Sequence, residues 1–127
     1  MLTTVPAEAA GSAGSFARAR LRARQGRHQE AQGIVAAELP RLRKNRSYHH
    51  LTYAATEVYA LGGRSAEAAR WLQVTIDEGF PCYPLFASDP WLDPVRQSPD
   101  VKAVLDRLKA VWEGYRSQLN TGPSAAS

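Results

Sequence analysis

Cysteine is almost missing from this chain: Cys82 is the only one in 127 residues. One thiol closes no internal disulfide, and with three scattered histidines it gives no metal-ligand spacing. No apolar run reaches the ~18 residues that a bilayer crossing needs, so a membrane partner is not expected. The opening stretch, "MLTTVPAEAAGSAGS", has neither a basic start nor an apolar block and does not read as an export signal. A reducing, cytoplasmic setting is the expectation. The glycines build no phosphate loop, because "GGRS" lacks the G-x-x-x-x-G-K-[ST] spacing.

The length is that of about one domain, and the 44% apolar content is enough for a globular core. Both ends are small and polar, so residues 1–14 and 120–127 are expected to be disordered, leaving 15–119 as the folded part. The net charge is +4. It is uneven: residues 1–64 hold ten Lys/Arg against four acids, and residues 65–127 hold six against eight. The basic half can attract phosphate or acidic peptides.

An internal repeat organises the chain. "GRHQEA" begins at Gly26 and "GRSAEA" at Gly63, an offset of 37. The same offset pairs Phe16 with Tyr53, Leu21 with Val58, Ala23 with Ala60, Ala31 with Ala68, Val35 with Leu72 and Leu39 with Ile76. A period in the thirties with glycine in the middle predicts two helices joined by a tight turn, used twice. In the second copy Leu51, Ala54, Ala55, Val58 and Leu61 recur at helical spacing before Gly62-Gly63. Glycine stops the helix by accepting a left-handed backbone, and Ser65 offers an N-cap hydroxyl for the next one. Ala68, Leu72, Thr75 and Ile76 then form an inner face beside Trp71, until Gly79.

Beyond Gly79, five prolines in "GFPCYPLFASDPWLDPVRQSPD" exclude a long helix. Asp89-Pro90 reads as an N-cap and first turn of a short helix reaching about Arg96. Ser98-Pro99-Asp100 opens a longer helix with the apolar stripe Val101, Val104, Leu105, Leu108, Val111, Trp112 and Tyr115. Such a helix would close one end of a stacked array.

Arginine alternates in "ARARLRAR", at positions 18, 20, 22 and 24. Period two suits a strand, but alanine and arginine favour helix, and no second strand stands ready to pair. On a helix the arginines form two bands, Arg18 with Arg22 and Arg20 with Arg24. Their mutual repulsion calls for acid nearby: Glu30, Glu57 or a partner.

The second copy, "YHHLTYAATEVYALGGRSAEAARWLQVTIDEGF", carries a helix–glycine turn–Glu-Ala–helix plan that resembles the tetratricopeptide (TPR) repeat family. Ala68 falls at the family's small-residue position and Tyr59 at its first-helix aromatic position. The segment after Gly79 resembles a tail found behind such repeats in bacterial signalling proteins: serine/threonine kinases, adenylate cyclases and winged-helix regulators. The resemblance implies an all-α fold, a short α–α superhelix of helical hairpins with a C-terminal capping helix. A degenerate repeat would cover 15–45, a clearer one 48–79, a proline-rich connection 80–97 and the terminal helix 98–117. In this family the first helices line a concave groove, which here would show Phe16, Arg20, Arg24, His50, Tyr53 and Glu57. The implied role is a non-enzymatic scaffold or adaptor binding a protein or peptide partner, acidic by the charge of those arginines.

Other residues have plainer readings. Adjacent His49 and His50 point about 100° apart on a helix and do not share a metal. Cys82 lacks a matched base and reads as a packed thiol. Trp71, Trp91 and Trp112 are expected in the core. Asp89, before proline, reads as a cap, and Asp93 also precedes a proline, so the two are not taken as an acid–base pair. No catalytic, metal or cofactor site is assigned. Two other roles remain: a basic nucleic-acid or anion-binding domain acting through Arg18 to Arg46, disfavoured without a recognition motif, and a homo-oligomer formed by pairing of open repeat ends.

Overall fold

The computed structural model describes the backbone of residues 7–42 and 48–126, and the side chains of residues 14–42 and 48–119. All regular elements among these residues are helical. They run α1 (Ala7–Arg24), α2 (His28–Glu38), a 3-10 turn (Leu39–Arg41), α3 (Tyr48–Leu61), α4 (Ser65–Asp77), α5 (Tyr83–Ser88), a 3-10 segment (Pro90–Val95) and α6 (Pro99–Ala126). The fold is all-α, as expected. Arg43, Lys44 and Arg46, part of the basic stretch, lie outside the described residues.

The corners explain the architecture. Gly26, Gly63 and Gly79 have φ of +79°, +78° and +107°, where a Cβ would be strained. Each closes its helix with the same pair of bonds. Arg27 N–H donates to the Arg22 carbonyl and Gly26 N–H to Ala23 at 2.9 and 3.0 Å. Arg64 and Gly63 do the same to Tyr59 and Ala60, both at 2.9 Å. Phe80 and Gly79 repeat it onto Thr75 and Ile76, both at 3.1 Å. These are Schellman closures, which satisfy the last carbonyls of a helix while reversing the chain. After the first two corners an arginine pairs with a glutamate three residues on: Arg27 with Glu30 at 2.8 Å and Arg64 with Glu67 at 2.5 Å. The repeat seen at an offset of 37 is therefore a repeat of corner chemistry.

Two hairpins result, α1–α2 and α3–α4, and they stack so that α3 lies in the middle. Every residue from Thr52 to Ala60 is buried. A helix enclosed on all sides needs small residues where neighbours approach, and α3 supplies Ala54, Ala55 and Ala60. Its polar threonines are satisfied internally. Thr56 Oγ1 donates to the Thr52 carbonyl at 3.0 Å. The Thr75 hydroxyl of α4 donates to the Trp71 carbonyl at 2.7 Å, leaving it to accept from Thr52 at 2.8 Å. Ala68 and Leu72 of α4 and Ala31 and Val35 of α2 complete the same seam.

The helical backbone of α1 begins at Ala7. At the other end the helical backbone of α6 runs to Ala126. Several expectations need correction. Leu21 is exposed although its repeat mate Val58 is buried, because α1 is the outer helix and none of the described residues covers that face. Ser65 does not cap α4. Its hydroxyl turns to Asp100 of α6 at 3.3 Å, tying the terminal helix to the second corner. The proline-rich connection holds one helix more than expected: Pro84 sits in the first turn of α5, where its missing N–H does no harm. The next short helix is 3-10, with Pro94 inside it. All three tryptophans are only half-buried.

Helix α6 packs against α4 and α5 through Val101, Val104, Leu105 and Leu108. Its stripe then runs past the body: Val111, Tyr115 and Leu119 are exposed.

Candidate functional site

The first helices of the two hairpins, α1 and α3, lie side by side, and residues 89–95 fold back onto α3. We call this returning segment the strap. Leu92 and Val95 anchor it in the core, together with Phe86 at the end of α5. Asp89 caps its first turn, accepting from Trp91 N–H at 2.9 Å. Arg96 clamps the strap's two ends: it donates to the carbonyls of Phe86 and Asp89 and to the Asp93 carboxylate at 3.0 Å.

A cavity of about 600 Å³ remains between strap and helices, with Arg20, His50, Tyr53, Glu57, Asp89 and Trp91 on its walls. Trp91 forms a ridge. On one side it faces this cavity, and on the other a hollow of about 350 Å³ reached by Arg24 and Leu61. The Arg20 guanidinium lies 4.8 Å from the Trp91 ring centroid and that of Arg24 5.9 Å, both within cation–π range. Arg20 also pairs with Glu57 at 3.3 Å. An aromatic wall adjoins the cavity: His49 stacks on Phe80 at 5.2 Å, and Phe80 meets Tyr53 and Phe86.

The polar floor is unusual. Glu57 and Asp89 are both buried and stand on the wall of the same cavity, their carboxyls placed to share a hydrogen bond when one of them is protonated. The Tyr53 hydroxyl also donates to Asp89. Burial, reinforced by the neighbouring Asp89, pushes Glu57 up to about 8, against the pull of Arg20. Burial would raise Asp89 as well. The hydrogen bonds from Glu57, Tyr53 and Trp91 N–H outweigh it and hold Asp89 below the ordinary carboxylate range. Near neutral pH, Glu57 is thus the proton donor and Asp89 the anion. Burial and the Asp89 hydrogen bond push the Tyr53 phenol up, so it stays protonated.

Of the groove residues expected from sequence, Arg20, His50, Tyr53 and Glu57 meet in one cavity. Arg24 stands across the Trp91 ridge. Phe16 does not line the groove: it is 2% exposed, turned inward as one of the largest core side chains. The acids expected near the arginines are Glu57 for Arg20 and Glu30 for Arg22, the latter at 2.8 Å. Asp89, Trp91 and Arg96 join the groove without being expected there. "DPWLDPVR" marks a capped turn, but nothing local says that the turn lands on α3.

Chemically, the site offers a flat indole and two guanidinium groups at the surface, above a buried acid pair. That combination stacks on planar groups and attracts anions. No group of three or more metal-ligating side chains occurs among the described residues, and no helix among them is long and apolar enough to cross a membrane. No family model, curated protein or solved structure matches the chain.

Proposed function

We propose that this chain is a non-enzymatic protein-interaction module of the TPR-like kind, a scaffold or adaptor that takes a peptide or partner segment on the groove face. The supporting observation is the Arg20–Trp91–Arg24 stack at the mouth of the cavity. Arginine and tryptophan are the side chains that most often dominate binding surfaces, and a guanidinium offers a fork to carboxylates. The favoured partner is therefore acidic and carries an aromatic or other planar side chain. The resemblance of the segment after Gly79 to the tails behind such repeats in bacterial signalling proteins is the reason for placing the module in a cytoplasmic bacterial signalling complex.

The test is a peptide array of acidic and neutral sequences, probed with the wild-type chain and with Arg20→Ala/Arg24→Ala. Acidic peptides retained by the wild type should be lost by the variant, while Arg18→Ala outside the cavity keeps them. Equal retention by all three would remove the groove assignment. A polyanion-binding role is less favoured, because three of the four alternating arginines have acidic or aromatic partners within the chain. One observation favours self-association as a second role: the exposed Val111, Tyr115 and Leu119 on α6. Sedimentation that stays monomeric at high concentration would eliminate it.

A further inference from the structure

We propose that Glu57 and Asp89 hold a single proton between them, and that this proton clasps the strap's first turn, Asp89-Pro90-Trp91, against α1 and α3. The geometry places the two carboxyls where the strap's polar backbone turn meets the middle of α3. Both are nearly inaccessible to water, at 6% and 7% exposure. Two ionised carboxylates in such a place repel strongly, whereas a carboxyl donating to a carboxylate attracts.

The surrounding charges fix the response when the proton leaves. From α1, Arg20 faces Glu57, and Arg24 lies beyond Trp91. From α3 itself, Tyr53 donates to Asp89 and His50 stands at the cavity wall. From the strap side, Arg96 holds the Asp89 carbonyl. Arg20 pairs with Glu57 and is also stacked on Trp91. Ionised Glu57 therefore draws Arg20 onto itself and off the indole, while Asp89 is pushed outward. Leu92 and Val95, sunk in the core, do not move. The motion is confined to the first turn, and it widens the cavity. Burial sets the midpoint near pH 8, within reach of mildly alkaline solution.

The clasp goes beyond the groove reading and stands without it; a partner that binds the groove would simply meet a wider site above the midpoint. The experiment follows two signals by NMR in the full chain from pH 6 to 9: the Glu57 side-chain carboxyl carbon and the Trp91 indole N–H. Both should shift with one shared midpoint on the alkaline side of neutrality. In Glu57→Gln, which mimics the protonated form and keeps its shape, the indole signal should stay at its low-pH position throughout. In Asp89→Asn, Glu57 should titrate at a lower pH than in the wild type. An indole signal that stays put in the wild type, or one that moves equally in Glu57→Gln, overturns the clasp. Loss of peptide binding with the shared midpoint intact would count against the groove reading alone.

Discussion

The hydroxyl of Tyr53, in the middle of the second hairpin's first helix, donates to the carboxylate of Asp89 at the start of the strap. This contact joins the repeat to the proline-rich segment after it. It converts an open helical face into a walled cavity, with Trp91 as one wall. Stability rests on this junction and on the corners that hold it in place.

Stability should depend on pH through Glu57. Its folded value, about 8, lies above its ordinary value of 4.5, so its contribution is complete below about pH 4.5 and is lost as pH rises toward 8. Asp89 works in the opposite sense: its value is lowered, so its contribution is present above the ordinary aspartate range and is lost in acid. Stability should peak in mild acid and fall from there to about pH 8, with a slope of at most about 1.4 kcal/mol per pH unit, and the thermal midpoint should fall with it. Thermal melts of the wild type and Glu57→Gln check this, since the slope should flatten in the variant.

Gly63→Ala tests the corner. A Cβ there would meet no atom within 4 Å, so space is not the obstacle. The obstacle is the backbone at φ +78°, and the expected loss is about 1 kcal/mol. Urea unfolding should show a lower midpoint with an unchanged slope.

Ala68→Leu tests close approach. Ala68 is 1% exposed, on the face of α4 turned to α3. Extra methyl groups must displace neighbours, at about 1–3 kcal/mol. Ala66→Leu, on the exposed side of α4, should have little effect in the same melts.

Thr75→Val keeps the shape of the side chain and removes its hydroxyl. The Thr52 hydroxyl then loses its partner across α3 and α4 and turns its proton to the His49 carbonyl, 3.2 Å away. The expected cost is about 1 kcal/mol, read from urea unfolding. A stability equal to that of the wild type would show that the local bond suffices.

Arg96→Lys tests the strap clamp. Lysine keeps the charge but cannot reach the Phe86 and Asp89 carbonyls together as the guanidinium fork does. Amide exchange should quicken across residues 86–91 while that of α3 stays slow, because Leu92 and Val95 remain buried.

Local sequence is enough to set the helices and their corners. Glycine at 26, 63 and 79 turns the chain whatever surrounds it, and the alanine and leucine spacing selects the inward faces. The Asp89 cap and the apolar stripe of α6 are legible for the same reason, since each depends on neighbours within a turn or two. Long-range packing alone leaves Leu21 bare while Val58 is enclosed, turns Phe16 into the core, and lets Ser65 reach Asp100 instead of capping its own helix. The groove was half legible. Helical periodicity sets Arg20 and Arg24 along one face of α1, and His50, Tyr53 and Glu57 along one face of α3. Their meeting with Asp89 and Trp91 depends on where a proline-rich segment lands after leaving the second hairpin. That landing is set by burial of Phe86, Leu92 and Val95 against helices far away in the chain, and no local pattern encodes the distance between them.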